Sequence, residues 1–484
     1  MEWFVIIVYA LALLYIFVFS LGQLHLTWHY LKAKKEPKTS VSKLENHPLV
    51  TVQLPVYNEK YVVKRLIDAV CQFDYPLDKL EIQVLDDSTD ETVQIASAHI
   101  VGWQQRGVNI QHIRRPDRKG FKAGALQYGL NQCMGEYIAI FDADFLPATD
   151  FLLRTIPHFN TGVGVVQARW GHINEQYSLL TKLQAFGLDA HFSIEQTGRS
   201  HAGSFINFNG TGGVWRKACI SDAGGWSADT LTEDLDLSYR AQLKGWQFRF
   251  VEDCVAPAEL PVIMSAVKSQ QYRWNKGAAE TASKNLGKVL RSGIGLGNKV
   301  HAVLHLLNSS VFVCLLLAAI LSIPMLFIKE QRPELELLFD LGSVFLIGFF
   351  SITYFYWVAS KHASVPGKRT FIKIYPLFLT VSMGLSLHNG LAVMEGLLGF
   401  KSPFIRTPKF NITDKGQDWK RNEYIRPDIN LLTILEGLLS LYFIGGIVAG
   451  VYLGDWGLII FHTMLALGFA SVFWQSVKSV SHAT

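Results

Sequence analysis

The chain has 484 residues, of which 49% are hydrophobic and 18% charged, with a mean hydropathy of +0.20. That is too apolar for an ordinary soluble enzyme and too charged for a pure transporter, so a soluble domain joined to membrane helices is expected. The formal net charge of +5 is mild and gives no reason to expect a nucleic-acid partner.

Residues 3–21 are almost purely apolar, a run of about 20 residues and long enough to cross a bilayer. The run lacks a basic start and a small-residue cleavage site, so it reads as an anchor rather than a cleaved signal. Its flank carries Lys32, Lys34, Lys35 and Lys38. The positive-inside rule then places this flank, and the domain after it, in the cytoplasm.

From about residue 48 to 261 the pattern alternates strand and helix, as in a mostly parallel α/β sheet. Strands are expected at 49–54, 81–85, 109–113, 137–141 and 165–170, with a helix at about 60–72. Another helix follows Asp86 and Asp87, capped by Thr89 or Asp90. The run 137–141 ends abruptly in Asp142 and Asp144. Ligands of open α/β sheets bind past the carboxyl ends of strands, and two Asp at i and i+2 there can share one hard cation, Mg²⁺ or Mn²⁺, with phosphate oxygens. For that pair alone, a strand-to-turn junction with solvated Asp is the better reading. Glu59 and Asp86/Asp87 end two further strands, however, and helix capping does not explain three acidic sets on one sheet edge.

The stretch from Arg114 to Lys122 is basic, glycine-bearing and opens a helix. Lysine there opposes the helix dipole, a conflict that a diphosphate would offset; a solvated basic turn fits the same residues. A glycine cluster (Gly210, Gly212, Gly213) follows Asn209 and allows close backbone approach. Thr232-Glu233-Asp234 opens an apolar-periodic helix. These acids are ordinary dipole partners, or one is the general base for a hydroxyl nucleophile. Arg273 and Trp274 read either as an interfacial anchor or as a diphosphate contact and a sugar-stacking platform.

Further apolar runs cover 301–328, 335–358, 371–398, 431–451 and 456–473. The basic loops 361–369 and 401–426 should both be cytosolic, so 371–398 makes no net crossing and reads as interfacial or re-entrant helices. Five crossings remain, with the N-terminus outside and the C-terminus inside. The expected division is an anchor at 1–30, a catalytic domain at 45–262, interfacial helices at 263–300, a span pair at 301–360, re-entrant helices at 371–399, a cytosolic loop at 400–428 and a last span pair at 429–476. The five cysteines are scattered and show no ligand spacing. No G-x-x-x-x-G-K-[ST] loop is present, which argues against nucleoside-triphosphate hydrolysis.

The ordered set Asp86-Asp87, Asp142-x-Asp144, Thr232-Glu233-Asp234 and Gln270-x-x-Arg273-Trp274 resembles that of membrane-bound family 2 glycosyltransferases, the cellulose synthase superfamily. The stretches at Thr51–Glu59, Val166–Trp170, Phe208–Thr211 and Glu259–Pro261 carry a narrower likeness to the plant cellulose-synthase-like A and C groups, the (gluco)mannan and glucan synthases. The resemblance implies a GT-A, Rossmann-like cytosolic domain beside transmembrane helices. It implies inverting transfer of a hexose from UDP-glucose or GDP-mannose to a growing β-linked, 1,4 in expectation, polysaccharide that the membrane part translocates. Asp234, assisted by Glu233, would be the base, and Asp142 and Asp144 would hold the metal. Glu59, Asp86 and Asp87 would hold the nucleoside, with Lys122 and Arg273 at the diphosphate. Asn209, Gly210 and Thr211 would line the acceptor end, and Gln270 and Trp274 would bracket the acceptor sugar. Phe404–Lys409, with Thr407 and Lys409, is similar to the FxVTxK gating loop but has Arg406 in place of Val. The membrane implied is the inner or plasma membrane of a bacterium or the Golgi of a plant. Single transfer to a lipid acceptor is the alternative. The resemblance leaves the donor and the oligomeric state open.

Overall fold

The computed structural model describes residues 1–37, 44, 46–361, 368–402, 405–413, 416–420, 422–425 and 429–481. Seven strands, β1 (Val50–Val56), β2 (Leu80–Asp86), β3 (Ile110–Ile113), β4 (Tyr137–Ile140), β5 (Val163–His172), β6 (Gly213–Arg216) and β7 (Gln247–Ala258), form one sheet in the order β3-β2-β1-β4-β6-β5-β7. Strands β1 to β4 pair in parallel, and β6 runs antiparallel to both β4 and β5. The mixed sheet is of the GT-A type that the sequence led us to expect. Parallel strands are covered on both faces and read as apolar runs, and β2 and β4 are buried throughout.

A first helix, α1 (Glu2–Ala33), precedes the sheet. Within the domain come α2 (Val63–Cys71), α3 (Thr92–Gln104), α4 (Phe121–Leu130), α5 (Phe151–Thr155), α6 (Leu179–Ala190), α7 (Gln196–His201), α8 (Lys217–Asp222) and α9 (Glu233–Leu243). One core lies on the face of α2 and α3, around Leu54, Ile67 and Val84. The other packs α4, α8 and α9 around Leu126, Ile140 and Trp215. Full burial of each such side chain contributes about 1.5–3 kcal/mol. Helix α2 starts later than the periodicity predicts, because the Glu59 carbonyl accepts the amides of Val62 and Val63 in a turn before it. The N-cap of α3 is Glu91, which makes no side-chain cap bond, rather than Thr89 or Asp90; Asp90, one residue earlier, accepts from the Thr92 N–H at 3.0 Å.

Beyond the sheet lie α10 (Met264–Arg291), α11 (Leu296–Leu306), α12 (Val311–Gln331), α13 (Glu336–Leu341), α14 (Leu346–Ser360), α15 (Lys368–Gly384), α16 (Ser386–Leu397), α17 (Leu431–Leu453) and α18 (Ile459–Ser481). Five helical segments among the described residues are long and apolar enough to cross a membrane: Glu2–Ala33, Asn308–Gln331, Pro333–Ser360, Leu431–Leu453 and Ile459–Ser479. Phe371–Gly384 and Ser386–Leu397 form a pair bent by 50°. Ion pairs group the ends: Arg332 meets Glu2 at 2.7 Å and Lys329 meets Asp455 at 2.7 Å. At the opposite end of α1, Lys34 meets Glu252 of β7 at 3.0 Å. The aromatics Phe349, Phe350 and Tyr354 of α14 are exposed on the helix surface, as lipid-facing side chains are. Most of the basic loop 361–369, and Lys415, Arg421 and Arg426, lie outside the described residues.

Candidate active site

The carboxyl ends of β1, β2 and β4 lie side by side and open into one cleft. Its open space, mouth and adjoining solvent included, is about 1320 Å³. The lining brings together Glu59, Asp87, Lys122, Asp142, Asp144, Asn209, Gly210, Glu233, Asp234, Gln270, Arg273, Trp274, Thr407 and Lys409. Strand β4 presents the Asp pair. The first turn of α9 presents Glu233 and Asp234. Helix α10 presents Gln270, Arg273 and Trp274. Gly277 lets α10 approach the start of α9, where an added Cβ would meet Thr232 Cγ2 at 2.5 Å.

Cations and anions interleave across the cleft. Lys122 Nζ lies 2.6 Å from Asp142 Oδ1 and donates to the Gly210 carbonyl at 2.9 Å. Lys409 Nζ lies 2.6 Å from Asp144 Oδ2, Arg406 lies 2.7 Å from Glu59, and Arg273 donates to Thr407 Oγ1 at 2.7 Å. Burial pushes the Glu59 carboxyl up to about 7 against the pull of Arg406 and Lys409. Burial, then the Glu233 charge, pushes Asp234 up to about 7, with Lys122 opposing. Glu233 is raised by the same desolvation. Burial lowers the Lys122 ammonium, but Asp142 and Glu233 outweigh it and the net shift is upward. A carboxylate poised near neutrality beside a cation is the environment of a general base.

Two of the expected site residues do not line the cleft. Asp86 is buried beneath it, accepting from His112 Nε2 at 2.8 Å and from the Ser88 N–H at 2.8 Å. Burial raises its carboxyl, yet these bonds outweigh it and hold the group below the usual range. Thr211, expected at the acceptor end, is fully buried; its Oγ1 accepts from the Asp142 N–H at 2.9 Å and so braces the Asp turn from behind. Asp87 does line the cleft but is gripped by Arg115, at 2.7 and 2.6 Å. The same guanidinium holds the Lys119 and Phe121 carbonyls, so part of the basic stretch is an internally braced loop. Phe404, at the start of the gating-loop likeness, lies outside the described residues.

The pattern of residue types did not single out Arg118, Trp170 or Glu259, all of which line the cleft. Arg118 sits 3.3 Å from the Tyr57 ring centroid, and Trp170 stacks on Phe192 with centroids 4.7 Å apart. Arg118 stood out only as part of the basic stretch, and Trp170 and Glu259 only within stretches that carry the family likeness; the fold gathers them.

Among the described residues no cluster of three or more His, Cys, Asp or Glu is placed to hold a metal. Asp142 and Asp144 nevertheless suit Mg²⁺ or Mn²⁺, which typically take one or two carboxylates and complete their shell with phosphate oxygens and water. That each carboxylate carries an ammonium at 2.6 Å shows that this spot accepts positive charge.

Residues 51–219 match the family described as Glycosyl transferase family 2, and residues 137–359 match Glycosyl transferase family group 2. Glucomannan 4-beta-mannosyltransferase 1 of Cyamopsis tetragonoloba is 35% identical over 469 residues, covering 92% of this chain and 82% of that protein. Probable glucomannan 4-beta-mannosyltransferases 4 and 11 of Oryza sativa subsp. japonica are 43% and 46% identical, covering 60% and 52% of this chain. The matched part is about half the length of those two rice relatives, 53% and 46%. Among solved structures, the mannosyltransferase PcManGT from Pyrobaculum calidifontis in complex with GDP-Man and Mn²⁺ shares the fold at 20% identity, with a TM-score of 0.53 over 81% of this chain and 100% of that one. With ordered glycosyltransferase motifs gathered in one cleft and a relative at 35% identity over 92% of this chain, the chain belongs to the family 2 glycosyltransferases, with glucomannan 4-beta-mannosyltransferases as its homologues.

Proposed function

We propose that the protein is a membrane-integrated, inverting glycosyltransferase that extends a β-1,4-linked polysaccharide from a nucleotide sugar on the cytosolic face and passes the product into the membrane. The observation that carries this reading is that Asp234, Lys122, the Asp142/Asp144 pair and Arg273 face one cleft. The sugar we assign is mannose, because the relatives named above are 4-beta-mannosyltransferases.

In this mechanism Asp234 takes the proton of the acceptor hydroxyl, which attacks the anomeric carbon from the face opposite the leaving diphosphate. An Asp234 carboxyl held at about 7 is well matched to that transfer near neutral pH. Arg273 and Lys122 offset charge on the departing diphosphate, as preorganised cations in a partly dehydrated site do. Gln270 and Trp274 bracket the acceptor sugar, and Glu59 and Asp87 meet the nucleoside side. Asp142 and Asp144 would hold a divalent cation, which when bound supplies Lewis-acid charge at the phosphates. The loop residues Arg406, Thr407 and Lys409 cover the donor. By the positive-inside rule we read the N-terminus as outside and the C-terminus as inside, and the pairing of Glu2 with Arg332 and of Lys329 with Asp455 supports grouping those helix ends on one side.

The test is to incubate the purified protein in lipid with labelled GDP-mannose or UDP-glucose and to size the product. A polymer from GDP-mannose that an endo-β-1,4-mannanase degrades is expected. Transfer of a single sugar to lipid, or no transfer from either donor, refutes the proposal.

A further inference from the structure

The segment after β7 carries a carboxylate that the transfer itself does not use. Glu259 is 3% exposed and immediately follows Ala258. Its Oε1 accepts from the backbone N–H groups of Phe410 at 2.8 Å and Ile412 at 3.3 Å, and its Oε2 from that of Asn411 at 3.0 Å. Three consecutive amides therefore converge on one anion, as in the concave nests that successive backbone N–H groups form. Asn411 has a φ of 57°, a left-handed conformation that asparagine adopts more readily than most residues.

Arg65 of α2 closes the arrangement. Its Nη2 lies 3.3 Å from Glu259 Oε2 and its Nη1 donates to Asn411 Oδ1 at 2.8 Å. Burial raises the Glu259 carboxyl, while Arg65 and the Phe410 amide pull the other way. Two of these three loop residues are also held by apolar packing, since Phe410 and Ile412 bury against Val262, Ile263 and Ala266. The residues just before them are the ones that reach the site: Arg406 to Glu59, Thr407 to Arg273 and Lys409 to Asp144.

We infer that Glu259 is the anchor of the loop covering the donor, gripping its backbone at 410–412 so that Arg406, Thr407 and Lys409 stay over the nucleotide sugar. It is a positioning residue for the transfer, and the inference rests on the glycosyltransferase reading above. The Glu259 bonds themselves go to main-chain amides, and the Asn411 side chain joins the arrangement through Arg65. A carboxylate is the suited group, since its two oxygens offer about four lone pairs and no donor. Glutamine would turn an N–H₂ group toward one of the amides.

The test uses the full chain in lipid nanodiscs, with Glu259→Gln and, as a milder variant that keeps the carboxylate, Arg65→Met. The first measurement is the rate of tryptic cleavage within residues 405–425, compared with cleavage inside the sheet domain. The second is KM and kcat for the nucleotide sugar that the wild type turns over. Loss of charge-assisted bonds at the anchor should speed loop cleavage and raise donor KM about tenfold in Glu259→Gln, with kcat within about threefold. Arg65→Met should move both in the same direction by less. Loop cleavage and KM both at wild-type values overturn the inference. So does cleavage that rises equally in the sheet domain, which marks a general loss of fold. If the wild type turns over no donor, the proposed function fails, while the cleavage rates still decide the anchor.

Discussion

Replacing Asp234 with Asn tests the proposed base and its surroundings together. Loss of a positioned general base costs about 10²–10⁴ in rate, so transfer should fall by at least a hundredfold while nucleotide binding persists. The same change should stabilise the fold at alkaline pH. Burial and the Glu233 charge raise the Asp234 carboxyl from 3.8 to about 7, and at about 1.4 kcal/mol per pH unit that is roughly 4 kcal/mol. The sign follows from linkage: the folded state keeps its proton to higher pH than the unfolded chain, so the penalty is absent below pH ~4, grows between about 4 and 7, and is complete above 7. Asn carries no charge and escapes the penalty, though it also forgoes the attraction of Lys122, so roughly 4 kcal/mol is a ceiling. Thermal unfolding of detergent-solubilised protein at pH 5 and pH 8, beside a labelled-sugar transfer assay and calorimetric nucleotide titration, measures all three effects. A variant that melts below the wild type at pH 8, keeps transfer within tenfold, or loses nucleotide binding refutes the reasoning.

The pH–rate profile of the wild type should show an acid limb near pH 7, the rate falling about tenfold per unit below it, because Asp234 must be ionised to act and burial holds it near 7; a flat profile down to pH 5 contradicts this. Chelation should abolish transfer and Mn²⁺ or Mg²⁺ should restore it, since Asp142 and Asp144 are suited to bridging a cation to phosphates; full activity in excess chelator contradicts the assignment. Gly210→Ala would place a Cβ 2.9 Å from Asp234 Oδ2 at a φ of 79°, so kcat should drop at least about tenfold from a displaced base. Unchanged kcat in that variant would mean that the approach of Gly210 to Asp234 is not needed for the reaction.

The acidic groups of the site were legible because each ends a strand or opens a helix, where the sequence itself announces a boundary. The run from Tyr137 to Phe141 could only be a buried strand, and its abrupt end at Asp142 fixes where the pair must lie. Basic residues on both flanks of 371–398 led us to expect interfacial or re-entrant helices there, and the segment is a pair of helices bent by 50°. What was not legible is which partner each charge takes. Lys122 looked like a phosphate ligand at a helix start, and in this structure it lies on Asp142. Lys409 and Asp144, which meet at 2.6 Å, are separated by most of the chain. Thr211 reads as a polar cleft residue, but β6 pairs antiparallel with β4 and carries it behind the Asp turn instead. Glu259 had only a family likeness, because an anchor for backbone amides leaves no mark on the sequence that it holds.

Helix α10 has a consequence that reaches beyond the cleft. On the side away from Arg273 and Trp274 it is bolted to the apolar helices: Lys268 Nζ to Glu436 at 2.6 Å and Ser476 at 2.9 Å, Gln271 to Asn389 at 2.7 Å, and Lys276 to Glu395 at 3.0 Å. One wall of the cleft is thus tied to the apolar helices and the other to the sheet. If those helices span a bilayer as proposed, a change in its thickness, which helices accommodate by tilting, would shift Trp274 against the aspartates opposite. A fragment ending at Pro261 would keep the acids yet lose the arginine and the tryptophan. Chemistry and lipid environment are in this sense a single mechanical unit.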